Sequence, residues 1–274
     1  MGVLKIMESI KLIIEEHRLL GNQVFKLAKS ELIKTYRASA LGWAWALVKP
    51  TVRIFVFWFA FTVGLRAGKP VEGYPYILWL VAGFLPWFYM QDMLNGGAGC
   101  VRKKKHLVTK MRFPVSTIPT FVSLSFLYVH WLLLAITIVL FAVCGHMPDI
   151  YYLQIPFYMF IMFVFFTVWG LFSGLLSAIS QDFQNLVRSF TQAIFWMSGV
   201  MYNVDRIHNH TARILLKFNP ITVVSSGYRK VFIYKQWFWE DPVELGCFCI
   251  TLLVFTILAL WAYKHLRKEI PDVL

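Results

Sequence analysis

Residues 101–144 read VRKKKHLVTKMRFPVSTIPTFVSLSFLYVHWLLLAITIVLFAVC. The first fourteen positions carry six lysines and arginines, whereas the thirty that follow carry no lysine, arginine, aspartate or glutamate. Thirty helical residues extend about 45 Å, and about 20 apolar ones suffice to cross a bilayer. Composition selects the membrane over a buried soluble core. Apolar residues make up 58% of the 274 and charged ones 15%, against roughly 45–50% and about 25% in ordinary globular domains. Too few polar residues remain to cover a water-facing surface. The chain reads as an all-α integral membrane protein, because a spanning segment must satisfy its backbone hydrogen bonds internally.

Working outward from 115–144, further apolar runs at 41–65, 76–94, 151–178, 187–204 and 244–263 make six expected transmembrane helices. Residues 187–204 are the most diluted, with Arg188, Ser189 and Gln192 near the start. The segments 1–40, 95–114, 179–188 and 264–274 hold 17 lysines and arginines, and 66–75, 145–150 and 205–243 hold 8. That asymmetry places both termini and 101–114 in the cytoplasm. The net charge of +13 therefore reads as a topological signal next to anionic lipid, and nucleic acid is not expected as a partner. The first 20 residues contain no uninterrupted apolar stretch, so no secretory leader is expected.

Residues 3–20 and 22–37 each show apolar positions at helical spacing opposite a basic face, broken at Gly21-Asn22. They are expected as amphipathic interface helices within 1–40, ahead of one membrane domain at 41–274. In 205–242, apolar pieces too short to span flank Phe218-Asn219-Pro220. The proline disfavours helix in the residue before it, which suggests re-entrant helices dipping into the outer leaflet before the last span.

Several chemistries lack their machinery. There is no GxxxxGK[ST], HExxH or GxSxG, and no pair of carboxylates in a span. No catalytic residue, metal or cofactor is expected in this chain. His208-Asn209-His210 has no evident third ligand, His130 is expected to hydrogen-bond between helices, and Cys247 and Cys249 read as small hydrophobes. A membrane-embedded glycosyl- or phosphotransferase is disfavoured for want of acidic residues. Two cations enter the first span: Lys49 lies about 12 Å and Arg53 about 18 Å past Leu41 at 1.5 Å per residue. They either snorkel back to the interface or face a cavity for an anionic head group. Nearby Trp43 and Trp45 could stack on sugar rings.

YRASALGWAWALVKP (36–50), GYPYILWLVAGFLPWFYMQDML (73–94), the basic 101–114, QDFQNLVRSFTQAIFWMSGVMYNVD (181–205) and FNPITVVSSGYRKVF (218–232) occur in an order that resembles the permease subunits of type-2 ABC exporters of polysaccharides. Within that family, residues 58–88 look closest to the wall teichoic acid branch. The resemblance implies a pair of permease copies in a bacterial plasma membrane and two P-loop ATPase subunits that bind ATP and Mg. It implies outward movement of a glycopolymer on an undecaprenyl pyrophosphate carrier. Tyr36, Arg37, Trp43, Trp45, Lys49 and Arg53 would lie on the substrate path. A coupling segment at 98–113 would meet the ATPase through Arg102, Lys103, Lys104, Lys105, His106 and Lys110, aided by Asp182. Asn219, Pro220, Tyr228 and Arg229 would gate the external side. O-antigen, capsule and drug exporters share the pattern. Gln181 stands where the family often has an arginine before the aspartate, which puts an ion pair to the ATPase there in question.

Overall fold

A computed structural model describes residues 2–37, 40–66, 68–111 and 113–273; Arg112 of the expected coupling segment, and Ala38 and Ser39 before the first span, lie outside them. Helices α1 (Gly2–Leu20) and α2 (Asn22–Arg37) flank the break at Gly21. Helix α3 (Trp45–Phe59) is prolonged by a 3-10 turn at Gly42–Ala44 and a π turn at Ala60–Gly64. Helix α4 (Tyr76–Ala98) leads into two short helices, α5 (Cys100–Lys103) and α6 (Lys105–Met111). Next come α7 (Thr117–Val143), α8 (Ile155–Ile179) and α9 (Gln181–Met197). Two short helices, α10 (His210–Lys217) and α11 (Pro220–Arg229), precede α12 (Pro242–Leu266).

Five helical segments among the described residues are long and apolar enough to cross a membrane: Gly42–Gly64, Tyr76–Ala98, Thr117–Val143, Ile150–Ile179 and Pro242–Leu266. The sixth span, expected at 187–204, takes a different form. Its helix starts earlier and stops at Met197 after 17 residues. Gln181, Asp182, Gln184, Asn185 and Arg188 keep it below the apolarity of its neighbours. Helix α9 nevertheless runs along α4. Thr191 donates to Asn95 Oδ1 at 3.1 Å, and the Phe195 ring meets Trp87 and Phe84 at 5.0 and 5.6 Å. Residues 198–204 then continue without regular helix toward the Tyr76 end of α4.

Helix α4 is the central column: 78% of its span is buried, against 6% of the α3 span. Small residues make that possible. On α8, Gly170 and Gly174 are four apart, and a methyl group placed at Gly97 of α4 would sit 3.2 Å from the Gly170 Cα. Backbones this close replace side-chain bulk with van der Waals contact, the main attraction between helices in lipid. Polar ties add to it. Tyr89 and Ser123 share a hydrogen bond of 2.6 Å, and Thr167 donates to Ser123 at 3.1 Å, so α4, α7 and α8 are pinned at one level.

The N-terminal helices dock on the basic end of this bundle. Tyr263 of α12 donates to Glu16 Oε1 at 2.6 Å, Ser116 donates to Glu16 Oε2, and His17 bonds Thr120 at 2.8 Å. Replacing Gly97 by leucine is expected to separate α4 from α8. The apparent unfolding temperature in detergent should fall by about 5 °C or more, whereas Gly246→Leu, with open space around it, should change it little.

Candidate functional site

The expected path residues Tyr36, Trp45, Lys49 and Arg53 converge on one cleft of about 190 Å³, between the end of α2, the start of α3, α4 and α7. Trp43 lies at its edge, half exposed and stacked on Tyr36 with ring centroids 5.1 Å apart. Arg37 ends α2 but does not line the cleft. The Arg53 guanidinium donates to Gln91 Oε1 and lies 5.9 Å from the centre of the Phe88 ring. Lys49 Nζ sits 5.7 Å from the Trp45 ring centre. Among the described residues no carboxylate comes within ion-pair distance of either cation.

Asp92 is the residue that sequence reasoning passed over. It lies inside the α4 span, lines the same cleft and faces Lys49 and Arg53 without contacting them. Burial first, and then the Asp92 carboxylate, push the Tyr36 phenol above its ordinary value. A lone aspartate in an otherwise uncharged 23-residue span was the available signal.

The basic end carries two kinds of cation. Arg102 caps the C-terminus of α8, donating to the Ser177 and Ala178 carbonyls at 3.1 Å each; a cation there also suits the helix dipole. Lys104, at the junction of α5 and α6, pairs with Glu31 of α2. By contrast Lys103, Lys105, His106 and Lys110 are exposed and point away from the bundle, as does Asp182 at the start of α9.

At the far end, Asn219 ends one short helix and starts the next. Its side chain accepts from Ile221 N–H at 3.0 Å, with Pro220 in the first helical position. The Phe218 carbonyl freed at this break accepts from Thr251 of α12 at 2.9 Å. Helix α10 lies at the surface and α11 is buried. Tyr228 and Arg229, expected at a gate, are interior. The Tyr228 hydroxyl bonds His130 Nε2 at 2.7 Å, which gives His130 its inter-helix partner.

Arg229, 2% exposed, stacks 3.6 Å from the Trp79 ring centre. It donates to the Gly199 carbonyl at 2.7 Å, to Val200, to Tyr202 at 3.4 Å and to Trp79 at 3.5 Å. Gly83 leaves the room it needs, since a Cβ there would collide with the guanidinium. The carbonyls of Gly199, Val200 and Tyr202 belong to the irregular stretch that follows α9, and that of Trp79 to α4.

An ion network fastens the two short helices to α12. Lys230 pairs with the buried Glu244 and lies 3.8 Å from Asp241; Lys217 lies 2.5 Å from Asp241 and 3.5 Å from Asp205. Partial burial alone would raise the Asp241 carboxyl. The Lys217 hydrogen bond, the Glu244 N–H and the Lys230 charge outweigh it and hold Asp241 below its ordinary value. Burial opposes the charge on Lys217, yet its carboxylate partners raise it overall.

Residues 22–233 match the ABC-2 type transporter family. The chain belongs to that family. The O-antigen export system permease protein RfbA of Myxococcus xanthus is 26% identical over 254 residues, covering 91% of this chain and 94% of that protein. A protein of the same name from Klebsiella pneumoniae is 21% identical over 250 residues, covering 90% and 93%. This ABC-2 chain is thus a multi-pass membrane subunit of a transporter, and its cleft lies where its matched segments 36–53 and 73–94 meet.

Two outcomes follow for this ABC-2 chain. Arg229→Met leaves several buried carbonyls without donors, each worth ~1–3 kcal/mol; thermal unfolding in detergent should show a loss of at least ~3 kcal/mol. A carboxylate held below its ordinary value stabilises above that value, and the benefit is lost as pH falls through the lowered one. Lys217, raised, contributes below its ordinary value and loses the benefit at high pH. Protection of residues 210–217 against hydrogen exchange, taken relative to intrinsic exchange at each pH, should therefore be flat near neutrality and fall below about pH 4, and Asp241→Asn should abolish that acid-side change.

Proposed function

We propose that the chain is the permease subunit of an ATP-driven exporter of a lipid-linked polysaccharide of the O-antigen kind. The observation that carries this is the cleft with two cations unpaired inside a span. Gln91, the Arg53 partner, is seven residues from the Ala98 end of α4, or about 10 Å inward from the basic end. A cation held there with Asp92 nearby but no carboxylate at ion-pair distance is costly unless something anionic visits, and a planar guanidinium suits a phosphate or pyrophosphate head. Tyr36, Trp43 and Trp45 border it with rings that suit the apolar faces of sugars.

On this reading the basic end is cytoplasmic, as the lysine and arginine count requires. The exposed Lys103, Lys105, His106 and Lys110, with Asp182, would meet an ATPase subunit. ATP and Mg would act there, in the partner. A second copy of this chain would cover the apolar stripe of α3 (Val48, Val52, Val56, Phe59 and Val63, all exposed) together with Leu186 and Phe190 of α9. The tight short-helix pair would close the external side until the ion network yields. The names of the relatives favour an O-antigen-type polysaccharide over the wall teichoic acid that residues 58–88 suggest.

The test is export of lipid-linked polymer in cells, read beside co-purification with the ATPase. Arg53→Gln should lower export about tenfold or more, the loss of one charge-assisted hydrogen bond, and leave the complex intact. Reversing Lys103, Lys105 and Lys110 to glutamate should instead weaken the complex. Unchanged export in Arg53→Gln would remove the cleft from the path.

A further inference from the structure

Lys49 and Arg53 stand four residues apart on α3, so they share one helix face, and both line the cleft. Their partners are neutral. Lys49 lies by the Trp45 ring, and Arg53 takes the Gln91 side-chain carbonyl and the Phe88 ring. Yet a carboxylate is the very next residue on α4. Asp92 lines the same cleft and acts on both cations through space, but stays beyond ion-pair distance of each.

A site that only had to retain an anion would gain nothing from a carboxylate among its cations. Asp92 offsets one of the two positive charges and repels any anion that lies between them. The arrangement also has a direction. Asp92 rides on α4, the buried column of the fold, whereas the cations ride on α3, of whose span 6% is buried. A shift of α3 relative to α4 therefore changes the separation of Asp92 from both cations together. With α3 drawn in, the carboxylate can take the place of an anionic head. With α3 apart, the cations are left to the head. The exchange is easy to enter, because the head takes Arg53 from an amide and a ring rather than from another charge.

We infer that Asp92 is an internal competitor of the anionic head, which weakens its hold in the cleft and drives its release when α3 closes on α4. This rests on the proposed reading of the cleft and adds the residue that sets how tightly the head is held and how fast it leaves. Gln91 has the complementary part, keeping Arg53 occupied without charge while no head is bound.

The complete chain with its ATPase partner, in phosphatidylcholine nanodiscs, is to be titrated with inorganic pyrophosphate, with and without magnesium. Export of lipid-linked polymer is followed in cells. Asp92→Asn should bind pyrophosphate about tenfold more tightly, the effect of removing one like charge several ångströms away, and the gain should shrink as ionic strength rises. Export should nevertheless fall, since tighter binding shows itself mostly as slower release. A purely structural role would lower export without tightening the anion. Asp92→Ser repeats the charge removal with another side chain, and Asp92→Glu, which restores the charge, should bring both values most of the way back. Retained co-purification with the ATPase certifies the fold of each variant. Pyrophosphate bound by Asp92→Asn and Asp92→Ser as by wild type, or more weakly, overturns the competitor; a weakening confined to magnesium solutions makes Asp92 a metal ligand instead. Tighter binding with wild-type export overturns the role in release. Arg53→Gln separates these failures from that of the cleft: weaker pyrophosphate binding there keeps the anion site, and wild-type binding removes the site and this inference together.

Discussion

Backbone carbonyls at Gly199, Val200 and Tyr202 stand beyond the end of α9 in an irregular turn, and the Arg229 guanidinium takes all three. Non-helical backbone at membrane depth is tolerated only where protein satisfies it. That constraint governs the second half of the chain. It lets α9 stop after 17 residues without stranding polar groups in hydrocarbon. Because Arg229 is the last residue of α11, the same bonds also seat the buried short helix against α4. The cation has no carboxylate among the described residues, and its charge is met instead by carbonyl dipoles and the face of Trp79. Gly83 supplies the space and Tyr228, next in sequence, anchors to His130. Removing the guanidinium would leave acceptors unmet in the turn after α9 and on α4 at once, so this one side chain couples the end of α9 to the end of α11.

Three electrostatic regimes divide the molecule. At the far end, Lys217 and Lys230 are each paired within a closed network of three carboxylates, Asp205, Asp241 and Glu244. At the basic end, Arg102 and Lys104 are consumed by the fold, while Lys103, Lys105 and Lys110 are left to water. Among the described residues, only in the cleft are cations held inside a span with a carboxylate nearby but not paired. Closed networks hold a structure together and exposed charge suits a protein partner. A cation without a carboxylate partner is what a visiting anion can complete, which sets the cleft proposed for substrate apart from the other two without appeal to any relative.

Much of this was legible in the sequence, because bilayer thickness turns apolar run length into helices. Five of the six expected spans appear with small shifts at their ends, and the interface helices break at Gly21. Lys49 and Arg53, which the sequence left between snorkelling and facing a cavity, both line the cleft. The remainder depends on contacts between distant segments. Nothing local distinguishes Arg102, a helix cap, from Lys103, an exposed cation one position later. Arg229 was expected at an external gate, yet α4 claims it and α12 claims its neighbour Lys230. Asp92 was hidden by its apolar surroundings, since hydropathy averages over a window and a site needs only one residue. The glycines at 97, 170 and 174 mattered because α4 and α8 meet there, a pairing that spacing along one helix cannot reveal.

Helix α2 connects the two regions that the proposed cycle requires to communicate. Lys104, at the kink between α5 and α6, is paired to Glu31, and about 7 Å further along the same helix Tyr36 enters the cleft. The surface proposed for an ATPase and the cleft proposed for an anionic head thus share one helix. Against it stands α3, the least buried of the spans, which carries Lys49 and Arg53 on one side and its apolar stripe on another. A push on residues 103–110 that tilts α2 would move Tyr36 relative to Arg53, and α3, with few contacts to resist, would be the element free to follow.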